Sequence, residues 1–314
     1  MALIKRLPSE PKFNFIGRHR LTLAFSAVLV VLSLGLFFTT GLNYGVDFRG
    51  GVMLEVRTAE AADLGALRSR LSGLGLGEVT LQSLDEPTDV LINVQRQEGG
   101  DEAQNAAIEV IKGALADTVV EYRRTEFVGP KVGGELKEAA LIATILALGA
   151  IALYIWFRFE WQFSMAALLA LTHDVITTIG FFAITGLEFN LASVAAILTI
   201  AGYSINDTVV VFDRVRESLR KYKKIAVGQV LNMALNATLS RTLLTSVTTL
   251  LALVALSVFG GHVVRGFSLA LIWGVVVGTY SSIGVATPLL MLMNLRHSQV
   301  AAPEPEGSEK AAAG

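Results

Sequence analysis

The sequence contains no cysteine and only four histidines. The first absence excludes disulfides and thiolate metal sites, and it fits an oxidising surrounding for any part that leaves the cytosol. Charge is scarce too: Lys, Arg, Asp and Glu make up 17% of the chain, against about a quarter in a soluble domain. A net charge of -1 argues neither for nucleic acid nor for an acidic ligand. The deficit is uneven. Residues 139–157, 164–184 and 267–293 hold a single charge, Asp174, whereas 45–138 have the composition of soluble protein.

What replaces the missing charge is apolar sequence in long runs. Crossing about 30 Å of hydrocarbon takes roughly 20 helical residues. Six runs qualify as spans: 21–39, 139–157, 164–184, 191–212, 242–260 and 267–293. Lys5, Arg6, Lys12, Arg18 and Arg20 precede the first, as in a signal peptide. Its apolar stretch exceeds a signal core of about 7–15 residues, however, and no small-residue cleavage site follows, so it reads as an uncleaved anchor.

Orientation follows from basic residues in the short loops. The N-terminal segment carries those five, and 213–240 carries Arg214, Arg216, Arg220, Lys221, Lys223 and Lys224. On the other side, 185–190 has none and 261–266 has only Arg265. Both termini are therefore expected in the cytoplasm, with 40–138 outside the cytoplasmic (inner) membrane. Within 225–239, Val227, Val230, Leu231, Ala234, Leu235 and Leu239 share a helical stripe. This predicts an amphipathic helix on the cytoplasmic surface before span five. The segment 298–314 is low in complexity and reads as a disordered tail.

Residues 51–57 alternate as a strand, 60–73 read as a helix, and 78–84 with 89–95 as a hairpin around Asp85-Glu86-Pro87. A helix over 101–116 and a strand near 119–127 complete a βαββαβ order, the pattern of a ferredoxin-like α+β domain. Its carboxylates are scattered and it holds no histidine, so no catalytic constellation is expected and the chain reads as no enzyme. Glycine-rich segments border it. Gly45-Val46-Asp47-Phe48-Arg49-Gly50-Gly51 leads in, and Gly129-Pro130 with Gly133 leads out. They read as hinges between domain and membrane, or as elbows about which the domain swings.

Ionisable residues inside spans cost about 2.5–3.5 kcal/mol on insertion scales, which makes each a functional candidate. Asp207 lies in span four and Arg241 opens span five. The two spans are antiparallel, so the arginine could reach the aspartate. One reading is a static salt bridge with a partly snorkelling arginine. The other is a proton carrier: burial disfavours a carboxylate's charged form and a nearby guanidinium favours it, so movement of Arg241 would switch proton affinity. Ser204, Asn206, Thr208, Thr242, Thr245 and Ser246 could serve a transient water path or simply bond helices together. His173 and Asp174, about ten residues into span three, are either a candidate relay or a local polar pair facing the bundle interior. Gly274, Gly278 and Ser282 give span six a small-residue face for packing.

These segments together resemble the SecF-type members of the SecD/SecF family of protein-export membrane proteins. The matching residues are Phe13–Gly17, Gly45–Gly51, Val128–Leu136, Leu171–Val175, Ala201–Glu217 and Ser240–Thr249, in order and with six spans. The resemblance, which runs from about residue 12 to 297, implies membership of the resistance-nodulation-division superfamily and a homologous six-span partner, SecD. It also implies work with the SecYEG channel, often with YajC, on a translocating preprotein, driven by the proton motive force or in some organisms by sodium. It assigns the essential intramembrane pair to Asp207 and Arg241, and it implies no cofactor beyond the coupling ion. Six helices with inward charges offer only half of an interface, which fits a duplicated-half transporter embedded in membrane lipids. The competing readings are a small-molecule or lipid exporter of the same superfamily and a purely structural subunit.

Overall fold

The computed structural model describes residues 13–84, 86–293 and 295. Asp85, most of the basic N-terminal segment and the expected tail lie outside the described residues. Six helices are long and apolar enough to span a membrane, and an α+β domain is inserted after the first.

Helix α1, His19–Thr39, is followed by a one-turn helix α2, Val46–Arg49. The inserted domain then runs β1 (Gly51–Thr58), α3 (Leu64–Ser72), β2 (Val79–Ser83), β3 (Asp89–Val94), α4 (Gly100–Leu115) and β4 (Val119–Val128). All pairs are antiparallel and the spatial order is β2-β3-β1-β4, which is the ferredoxin-like arrangement. Alternation along the strands divides the sheet into two faces. Val52, Leu54, Val56, Val90, Ile92 and Val94 point to α3 and α4 and form the core with Leu67, Leu71, Ile108, Ile111 and Leu115. The opposite face carries neither α3 nor α4. There Met53 and Leu91 pack with Val46 of α2.

The chain returns to the bundle through α5 (Pro130–Arg158), α6 (Trp161–Thr185), α7 (Leu191–Lys221), α8 (Val227–Phe259) and α9 (Gly261–Ser281). A π-helical turn, Ser282–Ala286, and α10, Thr287–Leu292, end the described helices. Helices α6, α7 and the last span are half or more buried, whereas α1, α5 and α8 are mostly exposed. Small residues set the closest crossings. A Cβ at Gly180 of α6 would meet Ser33 of α1 at under 3 Å from its backbone. One at Gly274 of α9 would strike Ile200 of α7, and one at Gly278 would crowd Ser204.

The expected surface helix over 225–239 needs correction: residues 227–239 form the first part of α8, continuous with span five. Its stripe of Val230, Leu231, Ala234 and Leu235 is buried against Phe212, Val215 and Leu219 of α7. The N-terminal segment holds it there, since Asn236 Oδ1 accepts from the Phe13 N–H at 2.9 Å and Asn232 Oδ1 from the Ile16 N–H at 3.0 Å. The stripe thus covers protein rather than lipid. At the same end, Arg158 pairs with Asp213 at 3.0 Å and Arg216 with Glu160 at 3.1 Å, the two guanidiniums stacking on Phe159.

Candidate functional site

The polar residues of α6 to α9 meet in the interior of the bundle. Asp174 is fully buried and holds three side-chain partners. Its Oδ1 lies 2.8 Å from His173 Nδ1, and its Oδ2 accepts from Ser204 Oγ at 2.5 Å and Ser281 Oγ at 2.7 Å. Three helices are tied by one carboxylate. One turn along α7 from Ser204, the Thr208 and Ser282 hydroxyls pair at 2.9 Å. In a regular helix the neighbours Ser281 and Ser282 would point about 100° apart. Here the π-turn begins at Ser282, and both hydroxyls reach inward. π-turns of this kind recur where a helix serves a site.

Asp207 follows Ser204 by three residues, about 4.5 Å along the axis. Only 9% of it is exposed, and its Oδ1 accepts from Thr242 Oγ1 of α8 at 2.7 Å. The seam continues through Ser246 of α8, which shares a 2.6 Å hydrogen bond with Thr279 of α9 and accepts from Tyr203 at 3.2 Å. Two atoms in this region are buried without a hydrogen-bond partner: Asp207 Oδ2 and His173 Nε2. Tyr280, whose ring lies 6.4 Å from that of His173, donates to the Thr22 carbonyl at 2.7 Å and closes the side toward α1. Among the described residues no group of three or more His, Asp or Glu is placed to hold a metal ion.

Of the residues singled out from sequence, Asp207, Thr242, Thr208, Ser204, Asp174, His173 and Ser246 are brought together. Arg241, Asn206 and Thr245 are not. The arginine is exposed and forms no ion pair among the described residues, so the static salt bridge with Asp207 is absent from this conformation. Asn206 lies on the exposed stripe of α7 with Ala195, Thr199 and Gly202. Thr245 is turned outward and donates to carbonyls of its own helix. Sequence reasoning gave Ser282 to packing and passed over Ser281 and Thr279. The available signal was the run Thr279-Tyr280-Ser281-Ser282 inside an otherwise apolar span.

A second polar region forms where the inserted domain meets the bundle. The two glycine-rich segments pack on each other: a Cβ at Gly133 of α5 would lie 3.4 Å from Gly50 N and 3.5 Å from Asp47 O. Gly51 has φ +119°, and a Cβ there would sit 2.4 Å from Val94 O, so glycine is required for β1 to start beside β3. Gly45 N donates to Phe189 O at 3.0 Å and Phe189 N to Asn43 O at 2.7 Å, bridging this segment to the α6–α7 turn. Asp47 Oδ2 accepts from Leu191 N, at the first residue of α7, at 3.0 Å. An anion there satisfies an orphan donor and opposes the helix dipole, worth about 0.3–1 kcal/mol at exposed sites. Beside this joint, the sheet face turned away from α3 and α4 and the turns of the bundle enclose a cavity of about 260 Å³. Its charged lining is Asp47, Glu55, Arg124, Glu126, Glu188 and Arg265.

Fold and interior together define a multi-pass membrane protein with an ionisable, hydroxyl-lined seam and a water-exposed domain rooted on its span-one side. The chain belongs to the SecD/SecF family. Residues 110–296 match the model of the protein export membrane protein SecD/SecF C-terminal region, and residues 35–62 match that of the SecD/SecF GG motif. It is 44% identical to the protein translocase subunit SecF of Rickettsia rickettsii (strain Sheila Smith), over 92% of this chain and 94% of the relative. It is 43% identical to the SecF of Cereibacter sphaeroides, over 93% of each chain. Among solved structures it resembles SecDF of Thermus thermophilus, described as a translocon-associated membrane protein, with TM-score 0.83 and 37% identity. The match covers 91% of this chain and 39% of that one. SecDF in a super-membrane-facing form matches with TM-score 0.66 at the same 37% identity. Equal identity with lower overlap marks a difference of arrangement rather than of sequence.

Proposed function

We propose that the chain is a non-enzymatic subunit of the Sec protein-export apparatus that converts the proton motive force into movement of its inserted domain. The observation that carries this reading is Asp207, a carboxylate buried in a membrane bundle with one oxygen on Thr242 and the other unpartnered. A buried carboxylate of this kind is costly in hydrocarbon and is kept where a proton or ion is handled. Moving one proton across 100 mV releases about 2.3 kcal/mol, enough to bias a two-state rearrangement.

In this scheme Asp207 binds the proton, and Arg241 approaches it in the alternate state as the proton leaves. His173 and Asp174, with Ser204, Thr208 and Thr242, provide the polar route through the interior. Asn206 and Arg241 face the surface that a partner's helices cover. Exposed Thr199, Gly202, Thr245 and Thr248 on α7 and α8 support a protein neighbour there, because small side chains let a facing helix approach closely. The neighbour is SecD, and the pair works beside SecYEG, with or without YajC, on the emerging preprotein. The termini lie in the cytoplasm, the membrane is the cytoplasmic one, and the inserted domain faces outward.

The test is gradient-dependent completion of secretion in inverted vesicles carrying Asp207→Asn or Arg241→Met, with the partner present. Loss of completion at normal protein levels is expected. Wild-type completion in both variants refutes the motor and leaves the structural-subunit reading. Repeating the assay with a sodium gradient in place of a proton gradient identifies the ion.

A further inference from the structure

The Asp207 seam and the inserted domain are far apart along α7. Asp207 is sixteen residues from Leu191, about 24 Å at 1.5 Å per residue. A rigid helix can carry a displacement over that length only if its far end is held to what it moves. The first turn of α7 is held unusually firmly. Asn190 and Ser193 form a reciprocal capping box, which fills two of the orphan donors from within the segment. The N–H of Leu191 is filled from elsewhere in the chain, by Asp47 at 3.0 Å. Asp47 sits in α2, three residues before Gly50 and four before Gly51, where β1 begins and pairs with both β3 and β4. Two backbone bonds, Gly45 N to Phe189 O and Phe189 N to Asn43 O, reinforce the same junction, with the Tyr44, Phe48 and Phe189 rings clustered over it.

The other routes between bundle and domain are weaker in kind. α1 reaches α2 through 40–45, which forms no helix or strand beyond the Tyr44 bridge. α5 is continuous with β4 through Gly129, but its span is almost wholly exposed and contributes no side chain to the seam around Asp207. The α7 start is thus the one place, among the described residues, where the helix bearing Asp207 bonds directly to the root of the sheet.

From this we infer that Asp47 is a coupling residue: its carboxylate clamps the N-terminus of α7 to the root of the inserted domain, so that movement of the Asp207 helix is passed to the sheet. The clamp stays closed through the working cycle, and the domain moves with the end of α7 rather than against it. Asp47 is a positioning residue, since it touches neither the proton site nor, on this account, the exported chain. The inference rests on the motor reading given above.

Two experiments test it in the full chain with its partner present. The first compares proton flux with gradient-dependent completion of secretion in the same vesicles. Asp47→Ala is expected to leave proton flux at the wild-type level while completion falls about tenfold or more, the factor that loss of a hydrogen bond to a charged group carries. Asp47→Asn, which keeps an acceptor oxygen, should lie between. Loss of both activities in Asp47→Ala, or retention of both, overturns the clamp. Asp207→Asn run beside them should lose both activities, and if it loses neither, the motor reading itself fails. The second experiment does not depend on how well those variants accumulate. Because the chain has no cysteine, Tyr44→Cys/Phe189→Cys places a unique pair across the bridge, and oxidation locks the junction. Secretion should be the same in the oxidised and reduced states. Arrest on oxidation and recovery on reduction would show that the junction must open, which overturns a permanent clamp.

Discussion

Thr242 gives its hydroxyl to Asp207 at 2.7 Å while its neighbour Arg241 points out of the bundle. Successive residues on a helix are about 100° apart, so α8 offers Asp207 either a hydroxyl or a guanidinium, according to its rotation or the opening of the bundle. Thr242→Val keeps shape and removes the donor. Leaving a buried charged acceptor unsatisfied costs about 1–3 kcal/mol or more. Gradient-driven secretion should fall at least severalfold at normal protein levels, and Thr242→Ser should restore it. An unchanged Thr242→Val would remove the hydroxyl from the proton path.

Asp174 supports a harsher expectation. Its two oxygens satisfy Ser204, Ser281 and His173, all of them buried. Asp174→Leu would orphan Ser204 and His173 in an apolar setting, at about 1–3 kcal/mol each, while Ser281 keeps the Gly278 carbonyl at 3.1 Å. That loss is a large share of a native margin of about 5–15 kcal/mol. The variant should be degraded or run with a strongly lowered thermal midpoint in detergent. Asp174→Asn should accumulate, since it retains an oxygen for the serines and can meet His173 with its amide. Its transport activity then reports on whether the charge itself is used.

Much of this architecture is legible in the sequence because membrane burial imposes coarse, additive rules. The spans follow from run length, and the βαββαβ order follows from alternation along 51–57, 78–84 and 89–95. Asp207, Asp174 and Thr242 stand out because polar groups in apolar helices are rare. What stayed hidden depends on azimuth and on continuity. Sequence pairs Asp207 with Arg241 by depth, but depth does not say which side of α8 Arg241 occupies. The stripe from Val227 to Leu239 has the same periodicity whether it rests on lipid or on α7. Only Asn232 and Asn236, bonded to the N-terminal segment, decide for protein. Ser281 reaches Asp174 beside a π-turn, a backbone irregularity that no hydrophobic pattern announces.

Glycine contacts give a prediction of opposite signs on two spans. Gly180→Ala would place a methyl against the backbone of α1 at Ser33. Overpacking of this kind costs about 1–3 kcal/mol, and α1 should detach more readily, seen as faster proteolysis near the N-terminus. A methyl added at Gly149 of α5 would meet nothing within 4 Å, and Gly149→Ala should be neutral or stabilising by about 0.5–1 kcal/mol through helix propensity. Equal effects at both positions would mean that α1 does not rest on α6 in the membrane.

Glu188 makes the seating of the inserted domain sensitive to pH. It lies in the turn before α7 and lines the cavity under the sheet, with Asp47, Glu55, Arg124, Glu126 and Arg265 around it. Burial, and then the charge of Asp47, hold its carboxyl above the usual carboxylate range, with Glu126 adding to the effect and Arg124 opposing it. A carboxyl freed into water by undocking would titrate near about 4.3. The docked state therefore binds the proton more tightly than the undocked state. Docking is favoured in full below that ordinary value and weakens as pH rises through the raised one, each tenfold difference in proton affinity weighing about 1.4 kcal/mol. Hydrogen exchange at the Gly45, Phe189 and Leu191 amides, which bond across the junction, should speed up across that window in the wild type beyond the intrinsic rate. Glu188→Gln removes the titrating group and should flatten the dependence, holding exchange at its slow, low-pH level. A pH profile identical in the two proteins would remove Glu188 from the docking equilibrium and overturn this prediction.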